Sequence, residues 1–479
     1  MRHIILFLFL FYSLLVNAQS KQFVENIGWT EKKIELNTIT NRTKQSSCTF
    51  VVSTDSIRAF VFTGLQLKLM KQFSLPRWAN ERVLGGFMRD SSVYMFTELP
   101  ERGVLHCTAM NVVTDSVKIS SIRLDMSRER AVSYISAGNH FVYITANART
   151  RELSLYNFTN DHPSGIRFQF PDVLWRDLRS GFWGRTLQME PINQEGNIEL
   201  DELVKNNKLY IRNDTVLLVM NNHIDSTQVI SFDLKQIQVE NWLIEHNPGN
   251  RLSKPIPYSD NSFLLGNKLY YVRATNDSLM VQVNDLFSGQ IIKTFTTDRR
   301  DEITWKNTPF MEERIVDNKR KDPKDLSKTS SLLRKMIEGS AVIMARPFGN
   351  DQVEVVVGSY EKTTTTTNVG GYSGFNSMPY GGYGGYGGYP TTVVRRPYYN
   401  PGRYIRSTWT NTVYFKTLLN ANNFSHMQGE PGSTANERID RFTAKMKIDP
   451  ESESLFTTYG QSYYAYYDKS GYKLVVLKF

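Results

Sequence analysis

Ser262-Phe263-Leu264-Leu265, then Lys268-Leu269-Tyr270-Tyr271-Val272-Arg273, Leu279-Met280-Val281-Gln282-Val283 and Gln290-Ile291-Ile292-Lys293-Thr294-Phe295 follow one another within residues 261–298. Gly266-Asn267, Asn276-Asp277 and Ser288-Gly289 separate them. Leu279, Val281 and Val283 alternate with Met280, Gln282 and Asn284, the period-2 pattern of a half-buried strand. Gly, Asn and Asp stand where turn dihedrals require them. The stretch therefore predicts one four-stranded antiparallel unit, which serves as a ruler for the rest of the chain.

Six further runs match the third strand of that unit, each ending where a polar residue meets a turn: Arg58 to Phe62, Leu105 to Val112, Leu153 to Phe158, Val229 to Leu234, Val413 to Leu418 and Leu474 to Lys478. With Val283 to Leu286 they make seven. Asn111 to Asn157 is 46 residues (157 − 111) and Asp233 to Asp285 is 52 (285 − 233), spacings in the range of propeller blades. The expected fold is all-β, a single β-propeller of seven four-stranded antiparallel blades. Six or eight blades stay open, because 427–449 has room for part of another repeat. Two stacked smaller β domains are the rival architecture.

Two intervals are too long for one repeat, Asn157 to Asp233 (76) and Asp285 to Leu418 (133), so their excess is read as insertion. Residues 171–207 form an aromatic and arginine-rich loop with a short helical stretch from Glu199 to Lys205. Residues 297–340 form a basic insertion with a helix whose N-cap is Asp322, whose first position is Pro323, whose apolar face is Leu326, Leu333, Met336 and Ile337, and whose stop is Gly339. Residues 361–409 are low in complexity, with Thr363 to Thr367 and three Gly-Gly-Tyr triplets. Such a run buries too little apolar surface to offset its ordering entropy and reads as a flexible loop. The last repeat lacks a fourth strand, and Lys32-Lys33-Ile34-Glu35-Leu36 is the natural candidate to close the ring. Strand parity puts all three insertions on one face.

Residues 1–18 carry Arg2, an apolar run from Ile4 to Val16 and a small-residue ending, Val16-Asn17-Ala18, which predicts a secretory signal peptide cut before Gln19. That run is too short to span a bilayer. The remaining 461 residues (479 − 18) are read as one propeller domain, 19–479, of an exported protein in the periplasm, at the cell surface or secreted. The formal charge of +10 falls to +9 without Arg2, a modest excess on this length that singles out no partner. Cys48 and Cys107, the only cysteines, both fall in predicted strands. In an oxidising compartment they can pair, or each can pack as a buried thiol.

Runs such as Lys268-Leu269-Tyr270-Tyr271-Val272, followed by Val281-Gln282-Val283-Asn284-Asp285-Leu286 and Ser288-Gly289, resemble the second and third blade strands of bacterial exported β-propellers of the WD40-like or quinoprotein-like kind. The resemblance spans about 45–479. It departs from named subfamilies in lacking the Trp-Asp dipeptide in every blade, and it implies no particular activity.

Chemistry is sparsely signalled. His106, His140, His162, His223, His246 and His426 are scattered without metal-ligand spacing, so neither a metal nor a cofactor is expected. Glu312-Glu313, or Glu451 with Glu453, offer paired carboxylates for glycan hydrolysis, but solvated loop acids are commoner. No catalytic set is assigned. Binding residues are sought in the loops: Trp175, Phe182 and Trp183 with Arg176, Arg179 and Arg185, and Tyr398 and Tyr399 with Arg395 and Arg396. Aromatic rings beside guanidiniums can stack on sugars or take anions, and the alternative is that the first set tucks against neighbouring blades. The functional expectation is a non-catalytic binding or scaffold protein of the bacterial envelope, with a protein or glycan partner and no nucleic acid. A glycan-active hydrolase or lyase, or a purely structural component, is the alternative.

Overall fold

Tyr258–Leu265, Lys268–Thr275, Ser278–Asp285 and Ile291–Asp298 pair in sequence order as one antiparallel sheet, as the ruler stretch predicts. The computed structural model describes all residues except 1–19, 31–32, 42–44, 102, 127, 181–185, 193–197, 199, 201, 224, 247–256, 317–318, 322–323, 350, 370–402, 434 and 447–451. Among the described residues, seven sheets have four or more strands. Sheet 1 (35–76), sheet 2 (82–123), sheet 3 (130–169) and sheet 5 (258–298) are plain four-stranded meanders. Sheet 4 (207–245) adds a short parallel strand, Glu190–Pro191. Sheet 6 is built on Ser340–Phe348, Gln352–Val369 and Arg403–Asn420, and sheet 7 on Glu453–Thr458, Gln461–Asp468 and Lys473–Lys478.

Neighbouring sheets are joined by apolar packing. Cys48, Phe50 and Val61 of sheet 1 meet Val83, Val93 and Met95 of sheet 2. Phe96 and Leu105 of sheet 2 meet Phe141 and Tyr143 of sheet 3, and Leu153 and Leu155 of sheet 3 meet Leu209 and Leu218 of sheet 4. One larger cluster unites sheets 4, 5 and 6. Tyr463, Tyr467 and Val476 of sheet 7 pack on Val51, Phe60 and Phe62 of sheet 1, and a helix stands between sheets 6 and 7. Sheets facing one another in succession, with the last packed on the first, make the fold a β-propeller. Burial follows from this: the second strand of sheet 3, His140–Asn147, is buried on both faces and mostly apolar, whereas the outermost strand of sheet 2, Ser116–Arg123, is largely exposed.

The turns after the third strands explain why those strands repeat so legibly. Asn111, Asp233, Asp285 and Asn420 each accept backbone N–H bonds two and three residues on, the Asx turn that a short polar side chain supplies.

Three expectations need correction. The closing strand is not Lys32 to Leu36 but Ser20–Asn26, which pairs antiparallel with Lys473–Lys478; Glu35–Asn41 is instead the first strand of sheet 1. The outer strand of sheet 6 is Phe310–Val316, which precedes the rest of its sheet in sequence and pairs with Arg403–Asn420. The helix of the basic insertion begins at Thr329, while Asp322 and Pro323 lie outside the described residues; the α-helices among the described residues are α1 (Asp172–Asp177), α2 (Thr329–Glu338) and α3 (Ala435–Met446). Gly339 does stop α2, which buries Leu332, Leu333 and Met336, whereas Lys324–Leu326 is a strand pairing with Phe310–Val316. Residues 435–446, inside the stretch with room for another repeat, are the helix α3.

Residues 171–207 join the fourth strand of sheet 3 to the first of sheet 4, and 297–340 join the fourth strand of sheet 5 to the first of sheet 6. Residues 361–409 lie between the second and third strands of sheet 6, and their ends are not loop but paired strand out to Val369 and Arg403. Alternating strand direction opens fourth-to-first and second-to-third links on one face, the upper face here, and the other links on the lower face.

Candidate binding site

The upper face carries a cavity of about 570 Å³ between sheets 2 and 3. That volume lies in the range of small-molecule sites. Its walls come from the two link types that open upward: Asn80, Arg82, Met126 and Arg130 from the fourth-to-first links and the strand starts, and Glu98, Leu99 and Pro100 from the second-to-third link of sheet 2. Leu99, Pro100, Met126 and Ala131 are its apolar lining, and Arg82, Glu98, Arg130 and Tyr143 its polar one.

Two repeated networks hold those polar groups in place. Glu81 is buried just before sheet 2 begins, accepts the Thr97 hydroxyl and the Trp78 backbone N–H at 3.0 Å, and lies 3.5 Å from His106 Nδ1. Glu129 is buried just before sheet 3 begins and accepts the Thr145 hydroxyl, the Ser154 hydroxyl at 3.0 Å and the Tyr156 hydroxyl at 3.2 Å. The spacings coincide: 16 residues from each glutamate to its threonine, and 25 to the third-strand partner. A buried carboxylate is tolerable only with such bonds. Each glutamate pulls its own chain inward, and the next residue, Arg82 or Arg130, is left at the cavity wall.

The two arginines differ in charge balance. Arg82 Nη2 donates to Glu98 Oε2 at 2.6 Å and its guanidinium stands 5.9 Å from the Tyr134 ring. Tyr143 donates to the other Glu98 oxygen at 2.6 Å, and burial, reinforced by that bond, holds its phenol well above the ordinary range. Arg130 is exposed and forms no ion pair among the described residues. The cavity thus combines apolar lining from Leu99, Pro100 and Met126, an Arg82–Glu98–Tyr143 cluster and the guanidinium of Arg130. It is equipped to bind and orient a ligand, and no nucleophile with an adjacent base lines it.

A second polar network lies on the same face between sheets 4 and 5. Thr227 donates to Asn221 Oδ1 at 2.7 Å, so the 2.7 Å contact with His246 is donated by Nε2, which fixes the imidazole tautomer. His246 stacks on Tyr271 with centroids 3.6 Å apart, and burial, then Arg273, drives its pKa down to about 3. Tyr271 donates to Asp260 at 3.0 Å, and burial pushes that carboxyl up to about 6. Lys208, fully buried, donates to Asn261.

The residues sought from sequence fare unevenly. Trp175 follows the alternative of tucking against neighbouring sheets: only 3% exposed, it packs in the core beside Phe170, ring centroids 5.9 Å apart, and anchors α1 between sheets 3 and 4. Arg176 and Arg179 are exposed beside it. Phe182, Trp183, Arg185, Arg395, Arg396, Tyr398 and Tyr399 lie outside the described residues. Cys48 and Cys107 are free buried thiols in two different apolar clusters. Glu312 pairs with Arg314 and Glu313 accepts from Tyr414, so that carboxylate pair is tied up within its own sheet. Sequence reading missed Arg82, Arg130 and their glutamates. Two Glu-Arg dipeptides 48 residues apart (129 − 81), close to the repeat spacing, were the available signal.

Among solved structures, Hsv2 of Kluyveromyces lactis is similar at 12% identity over 69% of this chain and 94% of its own, with a TM-score of 0.29. Dihydro-heme d1 dehydrogenase NirN is similar at 12% identity over 68% of this chain and 62% of its own, also with a TM-score of 0.29. Neither a protein-family model nor a curated protein matches the sequence. The assignment as a β-propeller therefore stands on the sheets and their packing.

Proposed function

We propose that this chain is an exported, non-catalytic binding or scaffold protein of a bacterial envelope, which uses its upper face to hold a protein or glycan partner. The observation that carries the reading is the cavity beside Arg130, open on the face on which strand direction also opens the links 171–207 and 361–409. Binding groups concentrate on loops held by a rigid scaffold. No described helix is long and apolar enough to cross a membrane. Export rests on the signal-like residues 1–18, and cleavage before Gln19 would leave the closing strand Ser20–Asn26 intact at the new N-terminus.

The test is cross-linking and glycan-array binding of the wild type against Ala131→Trp, which fills the cavity, and Arg130→Glu, which reverses its free charge. Loss of a specific partner or glycan in both variants, with melting unchanged, supports the reading. Retention of every ligand in both removes the cavity from the working surface. N-terminal sequencing of the protein from cells tests export: an N-terminus at Met1 in a cytoplasmic fraction refutes it.

A second reading, a glycan-active hydrolase or lyase, draws on Asp260, whose raised pKa beside Tyr271 suits a proton donor. Glycan turnover lost in Asp260→Asn but kept in Ala131→Trp would favour it.

A further inference from the structure

On the lower face, where sheet 6 meets α3, three guanidiniums converge on two residues. Arg346, near the end of the first strand of sheet 6, donates from Nη2 to the Gly432 carbonyl at 3.3 Å. Arg438 and Arg441, neighbours three residues apart on α3, reach back to Ser433: Arg438 Nη1 to its carbonyl at 3.5 Å, and Arg441 Nη2 to its hydroxyl. Gly432 is seated directly on Phe348, where even a Cβ would lie 2.6 Å from the ring, so the carbonyl that Arg346 uses is held firmly.

Two of the nearby cations are held by carboxylates. Arg346 is bound to the fully buried Glu354 at 2.8 Å, and Lys416 to Glu437 at 2.5 Å. Arg438 and Arg441 have no ion pair with a carboxylate among the described residues. Arg438 Nε is buried with no hydrogen-bond partner. Burial, then the nearness of Arg346 and Arg441, lowers the pKa of Arg438. Like charges gather in this way at a cost unless an anion joins them.

We propose that Arg346, Arg438 and Arg441 form a binding site for a tetrahedral oxyanion, a phosphoryl group, at the junction of sheet 6 and α3. The donors arrive from two elements, a strand and a helix, and so from different directions. A carboxylate offers two oxygens in one plane, while a phosphoryl group offers three acceptors out of plane, and guanidiniums bind it with charge-assisted bonds. The group can belong to free phosphate or to a phosphomonoester headgroup at a lipid surface. The site is separate from the upper-face cavity and does not depend on its function.

The folded chain is titrated with inorganic phosphate by calorimetry, against chloride and acetate at equal ionic strength, and sedimented with phosphatidylcholine vesicles with or without phosphatidate. Phosphate should bind at one site per chain and raise Tm, with chloride and acetate much weaker. Arg438→Gln and the exposed Arg441→Gln should each weaken it by about tenfold or more, the scale of one charge-assisted bond. Phosphatidate-dependent sedimentation lost in both variants assigns the lipid headgroup, and binding of free phosphate alone assigns a soluble ligand. The proposal is overturned if phosphate acts no differently from chloride and vesicles do not bind, if acetate binds equally well, or if Arg441→Gln leaves binding unchanged.

Discussion

Phe23 is the register partner of Val476, so a residue near the N-terminus sits opposite one three positions from the C-terminus (479 − 476). Its ring lies 5.9 Å from Phe60 and 5.0 Å from Phe62 of sheet 1, which makes Phe23 the point where both chain ends and the first sheet meet. Phe23→Ala should cost about 2 kcal/mol, less than a fully buried Phe because the ring is half-buried. Deleting 20–26 should expose the edge of sheet 7 and bring aggregation as well as lower stability. Urea unfolding and size-exclusion chromatography read the two effects. A deletion variant that stays monomeric with an unchanged midpoint would show that closure contributes nothing.

Why third strands were legible and the closing strand was not comes down to local against distant chemistry. A third strand is buried on both faces and ends in a short polar residue that caps its own turn, as Asp285 does for Phe287 and Ser288. Both signals sit within a few residues. Ser20–Asn26 is a half-exposed edge with a polar sequence, and its identity depends on a partner at the far end of the chain. Phe310–Val316 is hidden for the same reason: Met311 pairs with Tyr414. Trp175 misled because an aromatic-basic loop reads alike whether its rings face water or a neighbouring sheet. Glu81 and Glu129 drew no reading from the sequence, since nothing near them announces Thr97 or Thr145.

Glu129 tests whether the repeated carboxylate network matters to the fold. Glu129→Ala leaves the Thr145, Ser154 and Tyr156 hydroxyls without their acceptor, and a loss of about 3 kcal/mol is expected for stranded buried donors. Glu81→Ala should behave alike. Because Arg130 is positioned by Glu129, the variant should also weaken any ligand of the cavity. Chemical denaturation with ligand titration checks both, and a loss below about 0.5 kcal/mol, the size of a surface substitution, contradicts the network's role.

The cysteines give a redox prediction. Burial pushes the Cys107 thiol up to about 12 and Cys48 still further, so neither forms the reactive thiolate near neutrality. The folded protein should react with a thiol reagent only on unfolding, with two equivalents released, and a reductant should leave Tm unchanged. Fast labelling in the native state, or a fall in Tm with reductant, contradicts this.

Lys208 sets the last prediction, because its ammonium is fully buried on the first strand of sheet 4, hydrogen-bonded to Asn261. Burial lowers its pKa from 10.5 to about 7 against the opposing pull of Asp260 and Glu190. The unfolded chain therefore holds the proton up to about pH 10.5 while the folded chain releases it near 7. Between those values the unfolded state binds more protons, so stability rises with pH, by at most about 1.4 kcal/mol per unit for one group. The groups beside it act elsewhere. Asp260, raised from 3.8 to about 6, makes the folded state the better proton binder there, so its contribution is lost as pH rises from 3.8 to 6. His246, lowered from 6.5 to about 3, has a contribution that is lost as pH falls from 6.5 to 3. The two partly cancel on the acid side, which leaves Lys208 to act between about pH 7 and 8, below the range in which the raised thiols of Cys48 and Cys107 pull stability the other way. Lys208→Met keeps the aliphatic stem and removes the charge. Urea unfolding at pH 7, 7.5 and 8 should give rising stability for the wild type and a flatter profile for the variant, with the variant equal or more stable at pH 7. Parallel profiles would mean that Lys208 is solvated and charged in the folded state, and that the junction of sheets 4 and 5 admits water.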